Sequence, residues 1–262
     1  MKNITKIISI VLVLATAFAM LASCGKTNTD SDLDYVKGKG KLVVGITEFE
    51  PMDYKDDGKW IGFDADLATE FAKSLGVEVE FMEINWDNKI MDLDSKTIDC
   101  VWNGMTLTDD VKAAMECSVA YCNNAQIVIV PAEKADSIKN AEDCKGMKFA
   151  VENGSAGQEA AEANGFEFTP VQDQATALME VAAGTSDAAI IDSLMAAAMV
   201  GEGTSYESLA YTVSLTAEEY GVGFRKGSDL AAKLNEFFEA GMKDGSIEKV
   251  AETYGVQAAL IK

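Results

Sequence analysis

The side chains best suited to hold a charged solute stand at the ends of apolar runs. Asp192 follows the run 188–191, which places a carboxylate at the mouth of a predicted buried strand. A carboxylate there can accept hydrogen bonds from an ammonium group, or it can cap the helix predicted to follow. Trp86 offers an indole face to a cation, and the alternative is a tryptophan packed in the core. The two residues favour recognition of a positively charged nitrogen.

The segment Gly154, Ser155 and Ala156 opens a predicted helix and offers the opposite chemistry. The first N–H groups of a helix lack intrahelical partners, and the helix dipole favours an anion beside them. Glycine-rich helix starts are nevertheless common in any protein. Acidic residues dominate the neighbouring loops, at Glu48, Glu50, Asp87, Glu152 and Asp192. This balance favours a cationic or zwitterionic ligand over a dicarboxylate, whose second acid would have no cation beside it.

The charge composition excludes several classes of function. The chain carries 43 Asp and Glu against 22 Lys and Arg, a formal net charge of −21. Nucleic acid is not an expected partner, because binding a polyanion requires clusters of basic residues. Arg225 is the single arginine of the chain, and histidine is absent. The absence of histidine excludes histidine metal sites, histidine acid–base catalysis and serine–histidine triads. No metal, cofactor or catalytic residue is expected.

The elements that position the candidate residues alternate between strand and helix periodicity. Helical spacing includes a helix that Asp64 is predicted to cap and Gly76 to end. Because ligands bind beyond the carboxyl ends of such strands, two facing sheets would form a cleft. Alternation of this kind predicts an α/β architecture of two mainly parallel sheets covered by helices. Short apolar runs predict the strands at 41–46, 77–82, 98–102, 126–130, 148–151, 166–171, 188–191 and 220–224.

The first 23 residues are typical of a secretory signal. Lys2 and Lys6 precede an uncharged apolar run at 7–21, which small residues and Cys24 follow. The sequence LASC at 21–24 resembles the lipobox of bacterial lipoproteins, and the alternative is an ordinary signal with a chance cysteine. We expect residues 1–23 to be the lipoprotein signal peptide and Cys24 to carry a lipid that anchors the chain to the cell membrane. The polar residues 24–37 are expected to form a flexible tether.

The remaining cysteines are Cys100, Cys117, Cys122 and Cys144. Cys100 lies in an apolar run and Cys144 precedes one, positions at which a thiol serves as a small buried hydrophobe. We therefore interpret them as free thiols. Cys117 and Cys122 are close enough in sequence that a disulfide between them remains an alternative.

Short motifs between residues 41 and 254 match one known family in order and spacing. They are KLVVG at 41–45, GFDADL at 62–67, WD at 86–87, GMTLT at 104–108, GS at 154–155, DAAIID at 187–192, YGVGFRKG at 220–227 and DGSI at 244–247. The chain resembles the polar amino-acid-binding proteins of ABC importers, which have the type II periplasmic binding fold. The resemblance implies two lobes with a ligand cleft between them. Lobe 1 is expected from 38–127 and 222–262, and lobe 2 from 128–221.

The resemblance also implies roles for individual residues. Asp192 matches the aspartate that pairs with the ligand's α-ammonium, and Trp86 matches an aromatic residue that stacks on the ligand. Phe49 matches a further ligand aromatic, although packing under Pro51 would explain it nearly as well.

Further positions complete the expected binding site. Asn103, Gly104 and Thr106 match contacts near the ammonium, although 106–109 could simply be a capped turn. Ser155 and Ala156 match the turn that receives the α-carboxylate. Glu48 and Glu152 are added because they lie in the predicted cleft loops.

One position departs from the family pattern. Val111 stands where the family carries an arginine that clamps the carboxylate, and a guanidinium fork is hard to replace. Lys89 and Lys112 are candidate replacements, although lysines in such places are more often solvated.

The resemblance implies an extracytoplasmic, lipid-anchored, monomeric binding protein that delivers its ligand to an ABC permease. We expect that ligand to be a neutral or basic amino acid or a related amine, and we expect no catalysis. The alternatives are an extracytoplasmic dehydratase on the same fold, which a turnover assay would identify, and a ligand sensor that feeds a receptor.

Overall fold

The computed structural model describes residues 31–262, and the expected signal peptide and Cys24 lie outside them. The first sheet has six strands: β1 (Lys41–Ile46), β4 (Glu78–Glu83), β5 (Cys100–Thr106), β6 (Glu116–Cys117), β7 (Cys122–Asn124) and β13 (Glu218–Phe224). Strand β1 pairs in parallel with β4 and β5, whereas β13 runs antiparallel to β5. A separate hairpin joins β2 (Tyr54–Asp56) to β3 (Lys59–Ile61).

The second sheet has five strands: β8 (Gln126–Pro131), β9 (Lys148–Glu152), β10 (Glu167–Val171), β11 (Ala188–Asp192) and β12 (Leu209–Ser214). Strands β9, β10 and β11 are parallel, whereas β8 pairs antiparallel with both β11 and β12. The chain passes from the first sheet to the second after β7 and returns between β12 and β13. The lobe boundaries expected at 127/128 and 221/222 stay a prediction.

Helices cover both sheets, and their starts follow local capping chemistry. The side chains of Thr108 and Ser155 accept hydrogen bonds from backbone N–H groups of the helices that they precede. None of the helices within 31–262 combines the length and the hydropathy that a membrane span requires. The helices are α1 (Asp32–Lys39), α2 (Phe63–Leu75), α3 (Lys89–Asp94), α4 (Asp109–Ala114), α5 (Ala156–Asn164), α6 (Gln174–Ala182), α7 (Ser193–Met199), α8 (Leu230–Asp244) and α9 (Ser246–Tyr254).

Helix α2 ends at Gly76 as predicted, but Asp64 does not cap it. The N-cap residue is Gly62, and Asp64 lies inside the first turn, fully buried. Its Oδ2 accepts hydrogen bonds from the backbone N–H of Gly104 and from the Tyr121 hydroxyl, each over 2.7 Å. The prediction was wrong because these partners lie far along the chain, so no local pattern reveals them.

Helix α1 overlaps the flexible tether expected over 24–37. Asp32 accepts two hydrogen bonds from Nε of Arg225, each over 3.0 Å, and Val36 is fully buried. An ion pair to a distant arginine together with an apolar contact offsets the entropy of ordering this polar segment. The polar composition alone predicted a tether because it does not show that pairing.

The cysteines are packed as the sequence predicted. Cys100, Cys117, Cys122 and Cys144 are free thiols in the described part of the chain. Cys100, Cys122 and Cys144 are fully buried, and burial raises the pKa of each of these thiols.

Candidate ligand-binding site

A cavity of about 210 Å³ lies where the carboxyl ends of β1 and β5 face those of β9 and β11. This is below the roughly 300 to 1,000 Å³ of typical ligand pockets and suits a small solute. The structure brings together in its wall every residue predicted to bind ligand except Glu48, namely Phe49, Trp86, Asn103, Gly104, Thr106, Glu152, Ser155, Ala156 and Asp192.

Glu48 lies elsewhere. It is half-buried, and its Oε1 accepts a hydrogen bond from the backbone N–H of Lys55 over 3.2 Å, at the β2–β3 hairpin. Strand alternation explains the difference, because neighbouring side chains at the end of β1 point in opposite directions. Thr47 and Phe49 line the cavity instead.

Asp192 ends β11 and receives hydrogen bonds from both sheets. Its Oδ1 accepts from Gln126 Nε2 over 3.0 Å and from the Tyr220 hydroxyl over 2.9 Å. Asn124 also donates to Oδ1, and Gln174 donates to Oδ2. Asp192 occupies the N-cap position of α7, yet its side chain makes no capping hydrogen bond. The carboxylate therefore serves the junction of the two sheets and the cavity rather than the helix.

The two buried carboxyl groups of the described wall, those of Asp192 and Glu152, have raised pKa values, and so does the exposed Glu159. Burial raises the pKa of Asp192 to about 7, and the charge of Glu218 adds to the rise. Burial raises the pKa of Glu152 to about 8, with a further contribution from the charge of Asp192. A cation in the cavity would lower both pKa values by stabilising the ionised forms.

Trp86 and Lys89 form one unit at the start of α3. Trp86 lies in a buried apolar cluster and also lines the cavity, so it packs in the core, and its contact with a ligand stays a prediction. The ammonium of Lys89 lies 5.0 Å from the centroid of the Trp86 ring. It donates to the carbonyl of Trp86 over 3.2 Å and to that of Gly154 over 2.9 Å. Lys89 thus spans the cleft from α3 to the loop after β9.

Phe49 packs against the opposite wall. Its ring meets that of Tyr220 edge-on, with centroids 6.3 Å apart. Gly104 lies beneath these two rings, and a Cβ on Gly104 would collide with Phe49. Gly104 also has a φ of 55°, which glycine adopts readily. Phe49 therefore packs and lines the cavity at once.

The polar side-chain groups of Asn103 and Thr106 form hydrogen bonds within the protein. Asn103 Oδ1 accepts from the backbone N–H and hydroxyl of Thr47, and its Nδ2 donates to Asp53 Oδ2 over 2.8 Å. The Thr106 hydroxyl donates to Glu218 Oε2 over 3.0 Å. In this structure the two side chains shape the wall and hold the loops that carry it.

Helix α5 points its N-terminus at the cavity through Ser155 and Ala156. The Ser155 hydroxyl accepts from the backbone N–H of Gln158 over 3.3 Å, which starts the helix. The preceding Gly154 has a φ of 71°, and a Cβ there would lie 2.8 Å from Asp87 Oδ1. The loop after β9 therefore approaches α3 closely only because residue 154 is glycine.

Sequence reasoning missed several wall residues. Gln174 contacts Asp192 twice, through its amide nitrogen and by accepting from the Asp192 backbone N–H over 2.8 Å. Glu159 and Asp110 add acidic groups to the wall. No local pattern distinguishes these helix-start residues from solvated ones, because their position depends on how the two sheets face each other.

Within residues 31–262, the wall carries one basic residue among its acids. Val111 lies in the wall at the position where the family arginine was expected, and Lys89 lies there too. Lys112 does not line this cavity, and it is exposed. The acidic residues of the wall are Asp87, Asp110, Glu152, Glu159 and Asp192.

Comparisons with known proteins agree with this architecture. Residues 42–257 match the sequence profile described as bacterial extracellular solute-binding proteins, family 3. The L-cystine-binding protein TcyJ of Escherichia coli K12 is 32% identical over 248 residues, which cover 92% of this chain and 92% of TcyJ. The arginine-binding extracellular protein ArtP of Bacillus subtilis is 29% identical, over 94% of this chain and 96% of ArtP.

A solved structure matches at the level of the fold. The ABC uptake transporter substrate-binding protein of Streptococcus pneumoniae with bound histidine superposes with a TM-score of 0.80 at 28% identity. The match covers 89% of this chain and 100% of that protein. The predicted two-lobed periplasmic binding fold, with a cleft between the lobes, is thereby confirmed.

Proposed function

The chain belongs to the bacterial extracellular solute-binding proteins of family 3, and from this premise we propose that it captures an amino acid for an ABC importer. The observation that carries the proposal is the polarity of the cleft. Asp192 and the N-terminus of α5 line the same cavity and favour opposite charges. A zwitterion fits that arrangement, with its ammonium toward Asp192 and its carboxylate toward α5.

The acid content of the wall favours a neutral or basic amino acid over a dicarboxylate. Asp87, Asp110 and Glu159 are exposed acids of the wall, and Lys89 is the one basic residue among the described wall residues. A second ligand carboxylate would be desolvated beside like charges. The ligands named for ArtP and for the Streptococcus protein, arginine and histidine, agree with this preference.

Lys89 is our candidate for the cation that the family supplies by arginine. Its ammonium is buried, and its recorded hydrogen bonds go to backbone carbonyls rather than to a carboxylate. The Gly154 carbonyl that it contacts belongs to the turn that starts α5. A ligand carboxylate at that turn would give the buried ammonium the ionic partner that burial favours.

Ligand binding would stabilise the closed arrangement of the lobes. A ligand held by Asp192 at the end of β11 and by Trp86 beside the first sheet contacts both lobes only when they face each other. Its affinity for the closed form then exceeds that for an open form, which shifts the population toward closure. A permease that recognises the closed form would receive loaded protein.

Membrane attachment through Cys24 and action as a monomer are further parts of the proposal. Cys24 follows the apolar segment of the predicted signal peptide, which is the position that a lipid-modified cysteine occupies. Cys24→Ala should release the protein from membranes into the medium, as measured by fractionation of expressing cells. Binding without turnover is also proposed, in line with the relatives, which are binding proteins.

The test is a thermal-shift screen of the mature protein against the proteinogenic amino acids and simple amines, followed by calorimetry. A ligand present at 100 times its Kd should stabilise the protein by about 2.7 kcal/mol. Neutral or basic amino acids should give that shift. Tight binding of glutamate or aspartate with no response to the others would refute the proposal, and release of a chemically altered ligand would favour the dehydratase alternative.

A further inference from the structure

Glu152 is a buried acid in the cavity wall that lacks a complete set of partners. It ends β9 and is 3% exposed. Its Oε1 has no hydrogen-bond partner. Among the described residues, the other buried side chains with such an atom are Asp53, Asp64 and Trp102, and none of these lines the cavity. A buried carboxyl oxygen without a partner costs free energy, which a donor from a ligand would offset.

The charges around Glu152 favour a cation at that place. Asp192 on β11 and Asp173 before α6 raise its pKa by their negative charge, and Lys89 on α3 opposes them. The ammonium of Lys89 is already held by two backbone carbonyls. A positive group of the ligand beside Glu152 would therefore lie near three acids, Glu152, Asp192 and Asp173, and near one cation, Lys89.

Asp192 has little room for more than one ligand donor. Its Oδ1 already accepts from Asn124, Gln126 and Tyr220. Its Oδ2 accepts from Gln174. A carboxylate offers about four acceptor positions in all, so the remaining capacity is at Oδ2. A ligand with two cationic groups needs a second acceptor, and Glu152 Oε1 is available.

We propose that Glu152 accepts the side-chain cation of the ligand, so that the site selects amino acids with a positively charged side chain. The inference rests on the proposed function, in which Asp192 receives the α-ammonium. The inference narrows the proposed ligands from neutral or basic amino acids to basic ones. It assigns the selection of basic over neutral ligands to Glu152.

Proton release accompanies this recognition. Because burial and the charge of Asp192 raise the pKa of Glu152 to about 8, the empty site holds Glu152 mainly protonated at pH 6 to 7. A ligand cation favours the ionised form, so binding expels a proton. Affinity for a basic amino acid therefore increases as the pH rises from 6 toward 8, a range in which the lysine and arginine side chains stay charged.

The experiment compares charged ligands with uncharged ligands of nearly equal shape. Calorimetry of the wild-type protein with arginine against citrulline, and with lysine against norleucine, should show at least tenfold tighter binding of the charged member. Titrations at pH 6.5 in buffers of different ionisation enthalpy should show proton release with arginine and less with citrulline. Glu152→Gln should reduce the charged-to-neutral affinity ratio at least tenfold and lower the proton release.

Glu162→Gln is the matched control, because Glu162 is an exposed glutamate of α5 that lies outside the cavity wall. It should keep most of the wild-type ratio. The inference is overturned if Glu152→Gln leaves the charged-to-neutral affinity ratio unchanged. It is also overturned if the variant loses affinity equally for both ligands of each pair, because Glu152 would then contact the α-ammonium. Wild-type protein that prefers citrulline, or that releases no proton with arginine, overturns it without any variant. Failure to bind any amino acid would instead refute the proposed function itself.

Discussion

The Tyr220 hydroxyl donates a hydrogen bond to Asp192 Oδ1 over 2.9 Å, and the two residues belong to different sheets. Tyr220 lies on β13 of the first sheet, and Asp192 ends β11 of the second. Asn124 on β7 reaches the same oxygen from the first sheet. The acid assigned to the ligand's ammonium therefore also joins the two sheets, which would couple ligand binding to their relative position.

We predict that Asp192→Asn lowers affinity for the preferred amino acid at least tenfold, a loss of about 1.4 kcal/mol or more. The substitution removes the negative charge beside the ligand and puts an amide in the place of an oxygen that accepts from donors. Calorimetry gives the affinity. Circular dichroism melting shows whether the variant has folded, since Asp192 also joins the sheets.

Asp109→Asn is the control for that substitution, because Asp109 is exposed and lies outside the cavity wall. It should change affinity less than threefold. Equal affinity of folded Asp192→Asn and wild type for every amino acid would remove Asp192 from the binding site.

We predict that Trp86→Leu weakens binding because the indole face is the aromatic surface available to a cation beside α3. The cation–π contribution is about 0.5 to 2 kcal/mol, so the loss should lie between about twofold and thirtyfold. Trp86→Phe should recover part of it. Trp60→Leu is the control, since Lys55 lies over the half-buried Trp60 ring in a similar way, yet Trp60 is not part of the cavity wall. A larger loss in Trp60→Leu than in Trp86→Leu would contradict the assignment.

The sequence predicted most strands and the general place of the cleft because those depend on local periodicity and on sheet topology. The strand at 41–46 has the predicted bounds, and α5 begins at Ala156, within the segment predicted to open that helix. Partners that lie far apart in sequence were not predictable. Helix α1 is held in place by the hydrogen bond that Arg225 donates to Asp32. No sequence pattern around residue 32 indicates that contact.

The candidate site was predictable in position but not in detail. The sequence placed Asp192 and Trp86 at one cleft, and both line one cavity. It did not reveal that Asn103 is occupied by Thr47 and Asp53. Side-chain partners of this kind are set by packing across the sheet, whereas a single sequence reports only residue type and spacing.

We predict that Lys89→Met reduces affinity for amino acids but not for the corresponding amines without a carboxylate. Lys89 supplies the one ammonium in the described wall, and methionine keeps much of its apolar stem. The wild type should prefer arginine to agmatine at least tenfold, and the variant should lose most of that preference. Competition calorimetry measures it. Lys112→Met is the control, because Lys112 is exposed and outside the wall. An unchanged preference in Lys89→Met would leave carboxylate binding to the α5 N-terminus alone.

We predict that Arg225→Ala destabilises the fold by about 3 to 5 kcal/mol, because it removes the cation that pairs with the buried Asp32 and leaves the buried Asp99 with Lys39 alone. Arg225 pairs with Asp32 over 3.0 Å and with Asp99 over 3.3 Å, and it donates to the Ile98 carbonyl over 2.7 Å. Urea unfolding gives the free energy. Lys41→Ala, which breaks an exposed pair with Glu80, should change stability little. A loss below 1 kcal/mol for Arg225→Ala would show that the network contributes little.

We predict that Gly154→Ala impairs closure of the cleft, in addition to the backbone strain that alanine causes at a positive φ. Gly154 has a φ of 71°, and a Cβ there would lie 2.8 Å from Asp87 Oδ1 and 3.0 Å from Asp87 Cα, across the cleft. Gly165 provides a matched control, because it has a φ of 67° and nothing within 4 Å of an added Cβ.

Both alanine variants strain the backbone to a similar extent, so both should lose similar stability in the ligand-free state. Only Gly154→Ala should weaken ligand binding, by at least tenfold, and reduce the compaction that ligand produces in small-angle scattering. Equal affinities for the two variants would mean that the approach of Gly154 to Asp87 is not needed in the bound state. The closed cleft would then have to be held by Asp192 and its partners alone.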